Sequence, residues 1–164
     1  MRFNLVDRIL KVRPGKSIEA LKNLTLREEY LADHFPTFPV MPGVLMLESL
    51  VEAGAWLLRV TNDFKQSLIV LHEVRNIKYG MFVEPGRQMR ISMDWQEESG
   101  PLATFKGKGE VEGQQTVSAR LTLRSSNLAE RDPQWSSIDE RLRSHFRELY
   151  RLISAPGQSV ATAS

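Results

Sequence analysis

Pro42-Gly43-Val44-Leu45-Met46-Leu47-Glu48-Ser49-Leu50-Val51-Glu52-Ala53-Gly54-Ala55-Trp56-Leu57-Leu58-Arg59-Val60 is the stretch on which the fold turns. Pro42-Gly43 reads as a helix start, since proline at the first helical position leaves no needed donor unmade. Val44, Leu45, Leu47, Leu50, Val51, Trp56, Leu57 and Leu58 then take up most directions around the axis. A helix this apolar belongs inside a fold, covered on most sides. Its polar exceptions Glu48, Glu52 and Arg59 share one narrow face at about 100° per residue.

Working outward, the flanking segments supply that cover. Upstream, Leu5 to Val12 and Ser17 to Leu24 read as strands around the turn signal Arg13-Pro14-Gly15-Lys16. Thr25-Leu26-Arg27-Glu28 matches a capping box and predicts a short helix toward Ala32. Downstream, Ser67 to Ile77, Gln88 to Gln96, Ala103 to Val111 and Thr116 to Arg124 read as strands. They are separated by turns at Glu84-Pro85-Gly86-Arg87, Glu98-Ser99-Gly100-Pro101 and Glu112-Gly113-Gln114-Gln115. Two strands, one long buried helix and four antiparallel strands predict an α+β fold in which a curved sheet wraps the helix. Residues 125–135 read as a polar linker. Ser137-Ile138-Asp139-Glu140 reads as a second capping box, opening an amphipathic helix with the stripe Ile138, Leu142, Phe146, Leu149 and Ile153. The expected organisation is a main domain over residues 1–124, a linker and helix over 125–154, and a frayed tail over 155–164.

Composition narrows the function. The 164 residues carry a net charge of only +2, too balanced to argue for nucleic acid. No run of 18 apolar residues predicts a membrane span. There is no cysteine, and the N-terminus shows no signal-peptide pattern, so a cytoplasmic address is expected. His34, His72 and His145 lie far apart and no metal-ligand spacing occurs, so no metal is expected. No glycine-rich phosphate loop is present either.

The chemistry-bearing residues cluster at the start of the central helix. His34 sits in a stiff Pro-rich loop, His34-Phe35-Pro36-Thr37-Phe38-Pro39, whose apolar surface favours the neutral imidazole that can accept a proton. The bland alternative is a solvated loop histidine. Glu48 is a carboxylate on an apolar helix and must meet water or a functional cavity; in a cavity, burial makes it a proton donor near neutral pH. Gly43 either relieves crowding or offers its N–H, at the positive end of a buried helix, to a carbonyl oxygen. His72 reads as structural. Arg75, Lys78, Arg87 and Arg90 read as solvated charges, with docking of an acidic carrier as the minority reading.

At these residues the chain resembles the bacterial 3-hydroxyacyl-[acyl-carrier-protein] dehydratases of the FabZ type. The resemblance is carried by His34-Phe35-Pro36, Pro39-Val40-Met41-Pro42-Gly43-Val44-Leu45 and the helical Glu48. It extends through Leu5-Val6-Asp7-Arg8-Ile9-Leu10, Pro14-Gly15-Lys16 and Lys22-Asn23-Leu24-Thr25, and more weakly through Val74-Arg75-Asn76-Ile77-Lys78-Tyr79 and Val83-Glu84-Pro85-Gly86. It implies a hotdog fold, a homodimer at the least with a trimer of dimers as the larger alternative, and acyl carrier protein as partner. It implies no cofactor beyond the substrate's own phosphopantetheine. It further implies His34 and Glu48 as the catalytic pair facing each other between subunits, and Gly43 with Val44 holding the thioester. Phe35, Pro36, Phe38, Pro39, Val40, Met41, Pro42 and Glu52 would line the substrate tunnel, and Trp56, Tyr79, Met81 and Phe82 are candidates for its closed end. FabA-type relatives, which also isomerise the double bond, carry Asp where Glu48 stands, so dehydration alone is implied. The chain departs from the family at Asp33 and Thr37, where glycines are usual, and at Glu52, where glutamine is usual. A hotdog thioesterase and a non-catalytic carrier-binding subunit remain the alternatives.

Overall fold

The computed structural model describes residues 4–35 and 37–156. The chain runs β1 (Arg8–Arg13), β2 (Ser17–Asn23), α1 (Gly43–Thr61), β3 (Leu68–Tyr79), β4 (Gln88–Ser99), β5 (Leu102–Val111), β6 (Gln114–Ser126) and α2 (Ser136–Ile153). The six strands form one antiparallel sheet in the order β1-β2-β4-β5-β6-β3. This is the hotdog fold, with α1 packed against the sheet.

Alternation explains which face of the sheet meets the helix. Met89, Ile91 and Met93 of β4, Ala103, Phe105 and Val111 of β5, and Val117, Ala119, Leu121 and Leu123 of β6 all point inward and are buried. They meet Leu50, Ala53, Leu57 and Leu58 of α1. Gly107 marks the closest layer contact. A Cβ there would lie 2.4 Å from the Met93 sulfur and 3.4 Å from Leu50 Cδ1, so only glycine fits unless Met93 moves. Register shifts in β1, β3, β4 and β5 bend the strands and curve the sheet.

The two ends of the sheet differ. At β1 the edge is covered: Ile9 forms a parallel bridge with Ser154, and Ala155 N–H donates to Ile9 O at 3.0 Å. At the other end β3 is an open edge twelve residues long, with Val70, Leu71, Ile77 and Tyr79 exposed.

α2 lies across the C-terminal half of α1. Phe146 meets Trp56 edge-on and Tyr150 meets it at a tilt, with ring centroids 5.9 and 6.1 Å away, and Tyr150 meets Phe64 at 5.8 Å. The Arg59 guanidinium lies 3.8 Å over the Phe146 ring and 5.3 Å from that of Trp56.

Both expected capping boxes are corrected. Glu28 turns its carboxylate to Lys22 Nζ at 2.8 Å, while Thr25 Oγ1 accepts from Arg27 N–H in a local turn. The short helix shrinks to a 3-10 turn over Glu29–Leu31. α2 already begins at Ser136, after Trp135 and without a side-chain cap, so Ser137 lies inside the helix and not at its cap. The reciprocal cap falls instead within the linker, between Asn127 and Glu130, ahead of the 3-10 turn Leu128–Glu130. Of the stripe expected on α2, Ile153 is buried but Ile138 is 41% exposed, because α2 reaches α1 only through its second half. Of the tail, Ala155 is tied to β1 and residues 157–164 lie outside the described residues.

Candidate active site

The site is built around the first turn of α1. Pro42 is extended (ψ 138°) and takes the cap position, so the helix begins one residue later than expected. Leu45 and Met46 N–H donate to Pro42 O at 2.9 and 3.1 Å. The amides of Gly43 and Val44, one and two residues into the helix, have no intrahelical acceptor and no side-chain cap. Two N–H donors at a helix N-terminus favour an oxygen that carries negative charge.

Three elements frame this turn. The loop before it is anchored by Met41 N–H, which donates to Val83 O at 2.9 Å. Val40, Met41 and Pro42 are buried, Met41 within the core, so they sit inside the chain's own packing. The end of β3 lays Tyr79 against Gly43: a Cβ on Gly43 would come within 3.1 Å of Tyr79 Cε1. Gly80 makes that placement possible. Its N–H donates to Thr116 O at 2.8 Å, and a Cβ would lie 2.1 Å from the Gln115 carbonyl oxygen. Phe82 then meets Phe38 edge-on at 5.9 Å. Phe35, Phe38, Val44, Tyr79 and Phe82 are each about half exposed or more. Tyr79 thus stands beside the first turn of α1 and Phe82 beside Phe38, whereas Trp56 is covered by α2 at the far end of α1.

His34 closes the 3-10 turn ahead of the loop. Its N–H donates to Tyr30 O at 3.2 Å, and its ring meets that of Phe35 at 4.5 Å. Phe35 has φ of 50°, in the left-handed region that a bulky residue rarely occupies, and accepts at its carbonyl from Phe38 N–H at 2.8 Å. That local strain sits beside the residue expected to carry the chemistry. Pro36, expected in the tunnel wall, lies outside the described residues.

Glu48 is exposed on α1, one turn beyond Val44. Partial burial still pushes its carboxyl above the ordinary range. His34 and Glu48 make no hydrogen bond or ion pair with each other within the chain.

Glu52 is placed differently from expectation. Its Oε2 accepts from Leu5 N–H at 2.9 Å, so it is engaged with the N-terminal segment. Burial pushes it up to about 7, against the pull of the Leu5 N–H and with a further push from Glu48. This contact was not legible, because nothing in local spacing brings Leu5 across to a helix 47 residues later.

The charges weighed for carrier docking are mostly engaged. Arg75 pairs with Glu73, Arg87 with Glu112 and Arg90 with Glu19, all on the surface. Among the described residues, no group of His, Cys, Asp and Glu is placed to hold a metal ion, and no helix is long and apolar enough to cross a membrane.

Residues 1–120 match the model of the FabA-like domain. The 3-hydroxyacyl-[acyl-carrier-protein] dehydratase FabZ of Dechloromonas aromatica is 36% identical over 129 residues, covering 77% of this chain and 90% of the relative. The FabZ of a Janthinobacterium strain is 38% identical over 130 residues, covering 76% and 83%. Among solved structures, the dehydratase heterocomplex ApeI:P from Xenorhabdus doucetiae superposes with a TM-score of 0.65 at 17% identity, over 81% of this chain and 90% of that one. A hypothetical thioesterase with coenzyme A from Streptococcus pneumoniae gives 0.55 at 11% identity, over 73% and 85%. These structural likenesses speak for the fold, the sequence matches speak for descent, and together they establish that the chain belongs to the FabA-like family.

Proposed function

We propose that this chain removes water from 3-hydroxyacyl groups carried on acyl carrier protein, giving the trans-2-enoyl thioester in fatty acid or related lipid biosynthesis. The observation that carries the reading is the first turn of α1, where the Gly43 and Val44 amides lack an intrahelical acceptor and a side-chain cap and Tyr79 packs against Gly43. FabZ relatives identical at more than a third of the aligned residues support the same reaction.

In this mechanism the thioester carbonyl lies against the Gly43 and Val44 N–H groups. As negative charge grows on its oxygen, each donor contributes about 3 kcal/mol. Neutral His34 takes a proton from the carbon next to the carbonyl. The electron pair released forms the C2–C3 double bond, and the C3–O bond breaks. Glu48 gives its proton to the departing hydroxyl, which leaves as water. The proton on His34 returns to Glu48 through solvent, which restores both groups. Acid–base assistance of this kind contributes about 10²–10⁴-fold.

The pair acts between two copies of the chain. His34 and Glu48 form no hydrogen bond or ion pair within one chain, β3 presents an open edge, and residues flanking Gly43 are exposed and apolar; all three support a homodimer. A trimer of dimers is the larger assembly this reading allows, and a cytoplasmic setting suits an enzyme working on soluble carrier.

The test is product analysis with a 3-hydroxybutyryl carrier thioester. Loss of water with the acyl group still on its carrier supports dehydration. Release of free acid and carrier thiol would instead establish a thioesterase, and tight carrier binding without turnover a non-catalytic subunit.

A further inference from the structure

The helix α2 lies beyond residues 1–120, the stretch matched by the FabA-like domain, and it carries two apolar rows where one would fasten it. Asp139, Arg143, Phe146, Tyr150 and Ile153 make the row that holds it to the body. Asp139 accepts from Leu128 and Ala129 N–H at 2.9 Å, Arg143 donates to Lys65 O at 3.3 Å, Phe146 and Tyr150 meet Trp56, and Ile153 is buried.

Trp135, Ile138, Leu142, His145, Leu149 and Leu152 make the other row. They recur at alternating steps of three and four residues, the spacing of a coiled-coil seam. The row lies about 100° around the helix from the first. Leu142 and Leu149 are partly buried, but Trp135, Ile138 and Leu152 are 40%, 41% and 74% exposed. The middle of the row lines a surface groove of about 1060 Å³, with Asn4 at its wall.

The charges beside this seam say what fits it. On the side turned from the body stand Arg141 and Glu148, both exposed, one of each sign. Arg143 and Arg147 do not widen this into a basic strip for an acidic partner. Arg147 donates to Asp63 O at 2.8 Å and lies 5.4 Å over the Phe64 ring, and Arg143 is held as above. In an antiparallel helix pair, flanking residues of the same heptad position face each other. Arg141 of each copy then meets Glu148 of the other. A parallel pair would set Arg141 against Phe146, which is already engaged with Trp56 and Arg59.

We propose that α2 is a self-association surface, whose open row packs antiparallel on the same row of a second copy and is flanked by two Arg141–Glu148 ion pairs. In this register Trp135 packs on Leu152, Ile138 on Leu149 and Leu142 on His145, each twice by symmetry. His145, the polar position of the seam, fixes the register. An isolated helix of 18 residues is a marginal structure, but the body already holds this one, so pairing does not have to fold it. α2 ends beside β1, where Ser154 bridges Ile9, and β3 is the opposite edge of the sheet. The pairing therefore leaves β3 free, does not depend on the dimer proposed above, and joins such dimers into a larger assembly.

The experiment is sedimentation velocity on the full chain over a concentration series. Arg141→Glu and Glu148→Arg each turn two attractions into two repulsions at exposed positions, and each should weaken association about tenfold. The double variant should restore it, with circular dichroism unchanged throughout. The chain has no cysteine, so single cysteines report the register. A short bismaleimide should link copies through His145→Cys and not through Glu140→Cys, on the opposite side of the helix. Association that is the same in wild type and both single reversals, or linking at position 140 as readily as at 145, would overturn the proposal. Reversals that spare self-association and instead weaken binding of acyl carrier protein would overturn it in favour of carrier docking.

Discussion

Replacing Asp139 with asparagine probes the joint that fastens α2 to the rest of the fold. Asp139 is 1% exposed. Its Oδ1 accepts from Ser67 Oγ and from Leu128 N–H at 2.9 Å, and its Oδ2 accepts from Ala129 N–H at 2.9 Å. A carboxylate satisfies all three donors; asparagine has one acceptor oxygen. If that oxygen takes the Oδ1 position, the NH₂ group faces the Ala129 N–H, donor against donor. A lost charge-assisted bond and a buried N–H left unpaired together cost about 3 kcal/mol. For a chain of this size that corresponds to about 6–12 °C in Tm. Thermal unfolding followed by far-ultraviolet circular dichroism at neutral pH reads it directly. The pH dependence has a definite sign. Burial pushes Asp139 up, but the bonds from Ser67, Ala129 and Leu128 and the nearby Arg143 outweigh it, and the carboxyl ends below its ordinary range. Its stabilisation is therefore present above the ordinary aspartate range and lost as pH falls through the depressed folded value, so the gap between variants should narrow in acid. A variant within about 0.5 kcal/mol of wild type at pH 7 would refute the reasoning, since surface substitutions cost no more than that.

Three further outcomes follow from the same geometry. Gly80→Ala should lose at least about 2 kcal/mol in urea unfolding, because the added Cβ meets the Gln115 carbonyl oxygen at 2.1 Å. Its kcat/KM should fall by more than unfolding explains, since Tyr79 is displaced from Gly43. Phe146→Ala should cost about 2–3 kcal/mol, below the full core value because the ring is only partly buried, by stripping the cover from Trp56 and Arg59. For Glu52, burial raises the carboxyl from 4.5 to about 7, so the folded chain holds that proton longer than the unfolded chain. Stability from this source is full below the unfolded value and is lost as pH rises through about 7, by about 3 kcal/mol at most. Glu52→Gln should flatten wild type's decline in that window, as read by chemical denaturation at pH 4.5 and pH 8.

Much of the fold was legible because its decisive signals are local or periodic. An apolar helix from Gly43 demanded cover, and strands of alternating polarity with glycine-rich turns supplied it. The His34 loop, Gly43 and Glu48 were legible as candidates because proline, glycine and a carboxylate stood where the helix pattern made them unusual. Contacts between distant segments were not. The capping pattern at Thr25 was locally sound but lost Glu28 to Lys22, and the pattern at Ser137 failed because α2 already begins at Ser136. Glu52 read as a site carboxylate until Leu5 reached across to it. α2 read as amphipathic, but only packing showed that its aromatic half seats on Trp56 and Phe64.

The central claim, that His34 abstracts the proton in a reversible dehydration, is tested most directly by the absorbance of a crotonyl carrier thioester near its enoyl band. The account predicts that wild type removes the conjugated signal by hydration while the thioester stays intact, and that folded His34→Ala is slower by about 10²–10⁴-fold. Near-normal turnover in that variant, or an unchanged signal with wild type, would contradict it.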